Sequence, residues 1–266
     1  TGACLEKKRA HDREIHLHEQ VEKNYARLQE LEGQRDGLTY MIVHDLRTPL
    51  CSLISGLQTL PAMGELGADQ CEVLEIALAG GETLLGMVNS LLDVEKMESG
   101  AMKLDYTLLD ASELITCAIS QVSDLVLAGD LTLVRALDSD LPFFEGDEDK
   151  LRRTLVNLLG NAIKFTPAGG TITAAAHAGE DKQSLIFSVS DTGEGIPEED
   201  FERIFDKFGQ VSSRQGGRLM STGLGLTFCK LAVEAHGGKI SASNAPGQGS
   251  TLSFNVPIKP VQTIAV

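Results

Sequence analysis

The stretch NLLGNAIKFTP, residues 157–167, puts two asparagines and a lysine on one side of a helical pattern. Asn157 and Asn161 are four residues apart and Lys164 follows three residues later, so a helix brings all three to one face. Amide oxygens suit a divalent cation and an ammonium group suits phosphate, which together indicate a metal–nucleotide site. A solvent-facing polar stripe that ends in a lysine is the alternative for this stretch taken alone.

This helical stretch lies within a run of alternating elements. The β-prone segments are LTLVRAL, TITAAAHA, SLIFSVS, KISASNA and STLSFNV, and helical patterns cover 110–128, 148–164 and 223–236. Short strands interspersed with helices predict an α/β sandwich over residues 101–260.

Two glycine-containing segments follow the helix. In DTGEGIP (191–197), Asp191 ends an apolar strand, where its carboxylate can accept a hydrogen bond from an exocyclic amine such as that of adenine. An ordinary Asp–Gly turn is the alternative. STGLGL (221–226) leads into an apolar helix, so its backbone N–H groups suit phosphate. It lacks the lysine of a P-loop and the spacing of a Rossmann fingerprint.

The segment FDKFGQVSSRQGGRLM (205–220) is long, polar and poor in regular patterns. Loops of this length usually act as lids over a site or lack order. Arg214 and Arg218 either reach phosphates from such a loop or are solvated loop charges, and this segment alone leaves both alternatives open.

The first hundred residues follow a helical period instead. From Leu17 to Ile42 the apolar positions alternate steps of four and three, which indicates a coiled coil whose seam also contains Asn24 and Arg35. PAMGELGAD (61–69) predicts a turn, and a second helical pattern follows it from Leu74. Two hairpins of this kind form a four-helix bundle, so we expect a homodimer.

In MIVHDLRTPL (41–50), His44 lies two residues past Ile42. At about 100° per residue it therefore points roughly 200° away from the seam, which disfavours a buried structural histidine. Asp45 interrupts the heptad, and Pro49 is expected to bend the helix near it.

The composition limits the possible functions. The chain has 266 residues, 42% of them hydrophobic, and a net charge of −15. That charge disfavours binding to nucleic acid or to an anionic membrane, and no apolar run approaches the roughly 20 residues of a membrane-spanning helix. Five scattered cysteines without a Cys-x-x-Cys pair indicate reduced thiols. We expect a cytoplasmic chain with no nucleic-acid partner and no direct membrane contact, cut from a longer protein. The alternatives for that parent are a membrane-anchored protein and a fully cytosolic one.

Taken in order and spacing, these clusters resemble the N, G1, F and G2 boxes of the sensor histidine kinases, and VHDLRTPL resembles their H box. The resemblance covers about residues 35–257 and implies a Bergerat-fold ATP-binding domain, shared with DNA gyrase and mismatch-repair ATPases. The expected fold class is α+β, with a coiled-coil lead-in over 1–37. A dimerisation and histidine phosphotransfer domain follows over 38–100, and a catalytic ATP-binding domain over 101–260.

The resemblance also implies roles for individual residues. His44 attacks the γ-phosphorus of ATP, Asp45 orients the imidazole and takes its proton, and Thr48 positions a water that dephosphorylates a partner. Asn161 is the implied Mg²⁺ ligand, and Asp191 binds the adenine amine. The other implied nucleotide contacts are Asn157, Lys164, Gly193, Gly195, Phe208, Arg214, Arg218, Gly223, Leu224, Gly225 and Thr251, with Phe205 and Phe208 anchoring the loop and Thr251 supporting the adenine site.

The implied partners are a second copy of the chain and the receiver domain of a response regulator, with an upstream sensor domain absent from this chain. The sequence departs from the family pattern at Asp45, where glutamate is common, at Ser221, where glycine is common, and at Lys207, where proline is common. None of these changes removes an essential group. The alternatives are a Bergerat-fold clamp ATPase, a nucleotide-binding dimer scaffold without autokinase activity, and a family member that acts mainly as a phosphatase.

Overall fold

The computed structural model describes residues 46–64, 66–99, 102–180, 182–209, 223–244 and 249–258, together with isolated positions between 16 and 43. The chain divides into two compact units, Thr1–Glu95 and Lys96–Val266. This division falls five residues before the predicted boundary at 100/101. The predicted coiled coil lies almost wholly outside the described residues, as do His44 and Asp45 with the expected bend.

The first unit contains a helical hairpin. Helix α1 covers 46–63, and helix α2 spans Ala68–Glu98, the last three residues of which belong to the second unit. The guanidinium of Arg47 donates two hydrogen bonds to Asn89 Oδ1, at 2.9 and 2.6 Å. Ile54 packs against Gly81, where an added Cβ would lie 3.0 Å from Ile54 Cγ1. The pairs 47–89 and 54–81 show that the two helices are antiparallel.

The turn between the helices is shorter than its sequence predicts. Helix α1 continues through Pro61 to Met63, and α2 begins at Ala68, so the predicted turn over 61–69 contracts to 64–67. Gly67 accounts for the sharp start of α2. Its carbonyl accepts the N–H groups of Gln70 and Cys71, and its own N–H donates to Gln70 Oε1 at 3.0 Å. The bonds of the Gln70 and Gly67 N–H groups satisfy donors that the first turn of a helix leaves without i→i−4 partners.

The second unit is built on a five-stranded mixed sheet. In chain order the strands are β2 Thr132–Leu137, β4 Thr171–Ala178, β5 Ser184–Asp191, β6 Ile240–Asn244 and β7 Ser250–Pro257. Their order in the sheet is β2-β4-β5-β7-β6, with β2 and β4 parallel and the other pairs antiparallel. A separate two-stranded ladder joins β1 Thr107–Leu109 to β3 Phe144–Gly146, and the sequence patterns did not reveal it.

Three helices cover one face of this sheet: α3 Ala111–Ala128, α4 Glu148–Phe165 and α5 Gly225–Ala235, with α4 packed between the other two. Every second residue of β5 is buried, as expected for a strand with one face on the core. Phe187 of β5 stacks on Phe254, its register partner in β7, with ring centroids 5.0 Å apart. The predicted α+β fold class is confirmed, and all three predicted helices of this half lie within two residues of their predicted ends.

Helix α3 is long and apolar enough to cross a membrane by length and composition, and it is the one such helix among the described residues. Its buried residues, which include Leu114, Ile115 and Val122, belong to the same hydrophobic cluster as the sheet and α4. One side of α3 is therefore packed in the core of the sandwich, whereas Leu125 and Leu127 are exposed.

Leu158 of α4 is fully buried in the sandwich core. Replacing it in Leu158→Ala leaves a cavity and should lower the free energy of unfolding by about 2–5 kcal/mol. In Leu127→Ala, the truncated side chain is 78% exposed, so a change of no more than about 0.5 kcal/mol is expected. Urea unfolding followed by circular dichroism measures both; equal losses would contradict the assigned core.

Candidate nucleotide site

Helix α4 carries the asparagines and the lysine on its less buried side. Its core side is formed by Leu151, Leu155, Leu158 and Leu159, whereas Asn157, Asn161 and Lys164 are half-buried. Asp147 caps the helix by accepting the N–H of Lys150 at 3.1 Å. The predicted polar face therefore exists, and its three functional groups lie along one helix at the edge of the core.

Asn157 connects α4 to the start of α5. Its Nδ2 donates to the carbonyl of Gly225 at 3.4 Å, and the Cβ that Gly225 lacks would lie 3.7 Å from the Asn157 amide. Cys229, one turn further along α5, is fully buried and its thiol donates to Thr154 O at 3.7 Å. Burial raises the pKa of the Cys229 thiol to about 12, so it stays protonated near neutral pH and is not a nucleophile.

Asp191 is the most constrained carboxylate of the site. It ends β5 at 7% exposure. Its Oδ1 accepts the N–H of Gly193 at 2.8 Å and that of Ser250 at 3.3 Å, and its Oδ2 accepts the hydroxyl of Ser250 at 2.5 Å. A carboxylate offers about four acceptor positions, so these three bonds fix its orientation and still leave capacity for one external donor.

Backbone crowds this carboxylate from two directions. At Gly193, an added Cβ would lie 2.3 Å from the carbonyl oxygen of Phe165, at the end of α4. At Gly249, which has a φ of +114°, it would lie 2.0 Å from the carbonyl oxygen of Asp191. The glycines therefore bring the end of α4, the end of β5 and the start of β7 closer together than any side chain permits. Gly195, the other predicted glycine of this turn, has a φ of +75°.

Thr251 does not contact Asp191. It is the register partner of Ser190, and the hydroxyl groups of these two residues are 2.8 Å apart. Because side chains alternate along a strand, Ser190 and Thr251 lie on the opposite face of the sheet from Asp191 and Ser250. The hydroxyl that supports the carboxylate belongs to Ser250, one residue earlier than predicted.

The two ends of the 210–222 segment are joined at a structure that we call the junction, residues 206–209 together with 223–227. Phe208 N donates to Gly223 O at 3.2 Å, and the Thr227 hydroxyl lies within hydrogen-bond distance of Asp206 O and Gly223 O, at 3.0 and 3.1 Å. Gly223 has a φ of +67°, and a Cβ there would lie 2.5 Å from Phe208 Cα. The junction therefore places the start of α5 beside Asn157.

Two predicted anchors of the loop behave differently. Phe205 is buried in the core, as an anchor should be, whereas the side chain of Phe208 is 62% exposed and only its backbone N–H holds Gly223. Leu224 is buried and precedes α5. Its side chain serves packing, so a contact of Leu224 with nucleotide has to come from its backbone.

The remaining predicted site residues lie either outside the described residues or in the first unit. Arg214 and Arg218 lie outside the described residues, as do His44 and Asp45. Thr48 is exposed on α1 in the first unit, where its carbonyl accepts the hydroxyl of Ser52 at 3.1 Å.

Three residues that sequence reasoning did not select shape the site: Ser250, Gly249 and Asn244. Asn244, the last residue of β6, accepts the N–H of Ile196 at 3.0 Å and so holds the far end of the 191–197 turn. The alternation in STLSFNV was a usable signal for Ser250, since Leu252, Phe254 and Val256 face the core and Ser250 shares their parity. No local pattern in the sequence points to Asn244, because its partner is 48 residues away.

Comparison with known proteins assigns the two halves of the chain. Residues 146–260 match the family model of the histidine kinase-, DNA gyrase B- and HSP90-like ATPases, and residues 34–100 match that of the His Kinase A phospho-acceptor domain. The sandwich and its Asp191 site thus define an ATPase of this class. Together with the phospho-acceptor hairpin they place the chain in the family of sensor histidine kinases of two-component systems.

Individual relatives agree with this assignment. The chain is 34% identical over 90% of its length to the sensor histidine kinase TmoS of Ectopseudomonas mendocina, and 31% identical over 88% to WalK of Bacillus subtilis. It spans 24% and 38% of these two proteins. Among solved structures, full-length ShkA in complex with AMPPNP is similar with a TM-score of 0.72 and 29% identity, covering 83% of this chain and 45% of that one.

The close approach at Gly193 can be tested against a second glycine. Gly193→Ala should force the end of α4 away from β5 and lower nucleotide affinity at least about tenfold. Gly160→Ala introduces a Cβ that meets nothing within 4 Å, so it should stabilise α4 by up to about 1 kcal/mol and leave affinity unchanged. Binding of a fluorescent ADP analogue measures both affinities, and equal affinities would refute the proposed crowding.

The two neighbouring hydroxyls of β7 provide a second test. Ser250→Ala removes the hydrogen bond that orients Asp191 and should weaken nucleotide binding about tenfold. Thr251→Val removes a hydroxyl on the other face and should leave the affinity within about twofold of the native value. Isothermal titration with ADP distinguishes the two, and the reverse ranking would restore the role predicted for Thr251.

Proposed function

We propose that this chain is an ATP-dependent protein histidine autokinase that phosphorylates His44 and passes the phosphoryl group to an aspartate on the receiver domain of a response regulator. The observation that carries the proposal is the presence in one chain of a hairpin matching the phospho-acceptor model and of a nucleotide site centred on Asp191. A clamp ATPase does not need a phospho-acceptor hairpin. A nucleotide-binding scaffold has no need for a phospho-acceptor.

In the proposed complex the nucleotide lies between the end of β5 and the start of α5. Asp191 accepts the adenine amine, because its carboxylate is oriented by Ser250 and retains an acceptor position. Asn157, Lys164 and the N–H groups at the start of α5 face the phosphates. Arg214 and Arg218 remain predicted phosphate contacts.

A magnesium ion is expected to accompany the phosphates. Among the described residues no group of three or more histidine, cysteine, aspartate or glutamate side chains is arranged to hold a metal ion. Mg²⁺ is commonly held by one or two protein oxygens together with phosphate oxygens and water, so the half-buried amide of Asn161 fits it. Bound there, the ion would neutralise phosphate charge during transfer.

The proposed reaction forms a P–N bond and breaks a P–O bond. An imidazole nitrogen of His44 attacks the γ-phosphorus, and the bridging oxygen leaves with ADP. Asp45 holds the ring through the other nitrogen and takes its proton, as the resemblance to the H box implies. The phosphohistidine is a phosphoramidate with a high transfer potential, which suits onward transfer to a carboxylate.

We also propose that the hairpin dimerises. Its helices expose apolar side chains that a monomer would leave in water. These are Leu46 (48% exposed), Leu53 (61%), Leu60 (41%), Met63 (81%), Val73 (66%), Ile76 (67%) and Leu84 (50%). A second hairpin packed on them would complete the predicted four-helix bundle.

The remaining proposals concern the parent protein. Because the chain spans well under half of TmoS and WalK, we propose that a sensor domain precedes the lead-in over 1–37 in a longer protein. The segments 38–100 and 101–260 then act as its phosphotransfer and catalytic domains in the cytoplasm, with no nucleic-acid partner and no direct membrane contact of their own.

Incubation with γ-labelled ATP and Mg²⁺ tests the proposal. The native chain should acquire label that survives alkali and is lost in acid, the behaviour of a phosphoramidate, and His44→Gln should acquire none. His177→Gln is the matched control, because His177 is an exposed histidine of β4 that lies outside all five boxes, and this variant should label normally. ATP hydrolysis without label on the native chain would favour the clamp ATPase.

A further inference from the structure

Lys207 and Glu98 form an ion pair across 109 residues of sequence. Lys207 Nζ lies 2.6 Å from Glu98 Oε2, and the two side chains are 27% and 33% exposed. Both residues belong to the second unit. Partial burial means that salt screens this pair less than an ion pair between fully exposed side chains.

Lys207 is held within the junction. Asp206 before it accepts the hydroxyl of Thr227 and the N–H of Gly209, and Phe208 after it donates to Gly223. Gly223 lies two residues before Gly225, the first residue of α5. The carbonyl of Gly225 accepts a hydrogen bond from the side-chain amide of Asn157. Lys207 therefore belongs to the segment whose backbone borders the phosphate end of the site.

Glu98 is the last residue of α2. The first 28 residues of this helix, Ala68 to Glu95, belong to the first unit. Within that unit the side chain of Asn89 accepts a hydrogen bond from the guanidinium of Arg47. A continuous helix moves as a rigid element over a few turns, and Glu98 follows Asn89 by nine residues, or about 13 Å along the axis. Glu98 therefore lies in the last turn of the same helix as Asn89.

We propose that Glu98 and Lys207 are positioning residues that make the geometry of the phosphate end of the site depend on the last turn of α2. The ion pair restrains the junction, and the junction sets the start of α5 beside Asn157. Phosphoryl transfer is sensitive to misplacement of the reacting groups by an ångström, so the restraint acts on the rate of transfer. The adenine side of the site, held by Asp191 and Ser250, makes none of these contacts. This inference rests on the proposed autokinase function.

A charge exchange tests the inference. Lys207→Glu and Glu98→Lys should each lower the kcat of autophosphorylation about fivefold, while the double variant Lys207→Glu/Glu98→Lys should recover to within about twofold of the native rate. The affinity for a fluorescent ADP analogue should stay near the native value in all three. Lys103→Glu, which changes the charge equally at an exposed residue, is the control and should label at the native rate.

The neutral variants Lys207→Gln and Glu98→Gln guard against misfolding caused by charge reversal, and both should lower kcat with normal ADP binding. Native kcat in the single variants, or a double variant no faster than the singles, overturns the inference. A rise in the Kd for ADP that accounts for the whole loss of rate also overturns it, since that result assigns the pair to binding. Absence of label on the native chain would instead refute the autokinase function.

Discussion

The buried carboxylate of Asp191 is the constraint on which the nucleotide site depends. A carboxylate at 7% exposure is costly unless its oxygens accept hydrogen bonds, and here three donors from two segments satisfy it. Those donors require Gly193 and Ser250 to approach it closely, which in turn requires β5 and β7 to be neighbours. The order of strands in the sheet and the chemistry of the pocket are therefore linked through a single side chain.

The relation between α4 and α5 follows from the same principle of close approach. Gly225 lacks a side chain where the Asn157 amide packs, so the amide can reach a carbonyl on α5. Cys229 fills the space one turn below with a small, protonated side chain. The polar face of α4 is thus supported from beneath by apolar packing and by one backbone contact, which leaves its outer side available to a ligand.

Much of this arrangement could be predicted because it depends on local patterns. The alternation of β5, the four-residue spacing of the α4 asparagines and the glycines at 193 and 223 are visible within a few residues of sequence. Contacts between segments that are distant in sequence could not be predicted in the same way. The hydroxyl on Asp191 belongs to Ser250 and not to Thr251, because side chains alternate along β7 and a step of one residue reverses the face of the sheet. Asn244 and the pair Lys207–Glu98 depend on tertiary neighbours that no local period encodes.

The distribution of cysteines has a practical consequence for spectroscopy. Cys51 and Cys71 are exposed on the two helices of the hairpin, whereas Cys229 is buried beneath the nucleotide site. Thiol-directed spin labels or fluorophores would therefore reach the hairpin and leave Cys229 unmodified, once Cys4 and the partly exposed Cys117 of α3 have been replaced. Two natural attachment points, one on each helix, allow distances across the hairpin to be followed without altering the residues that surround ATP.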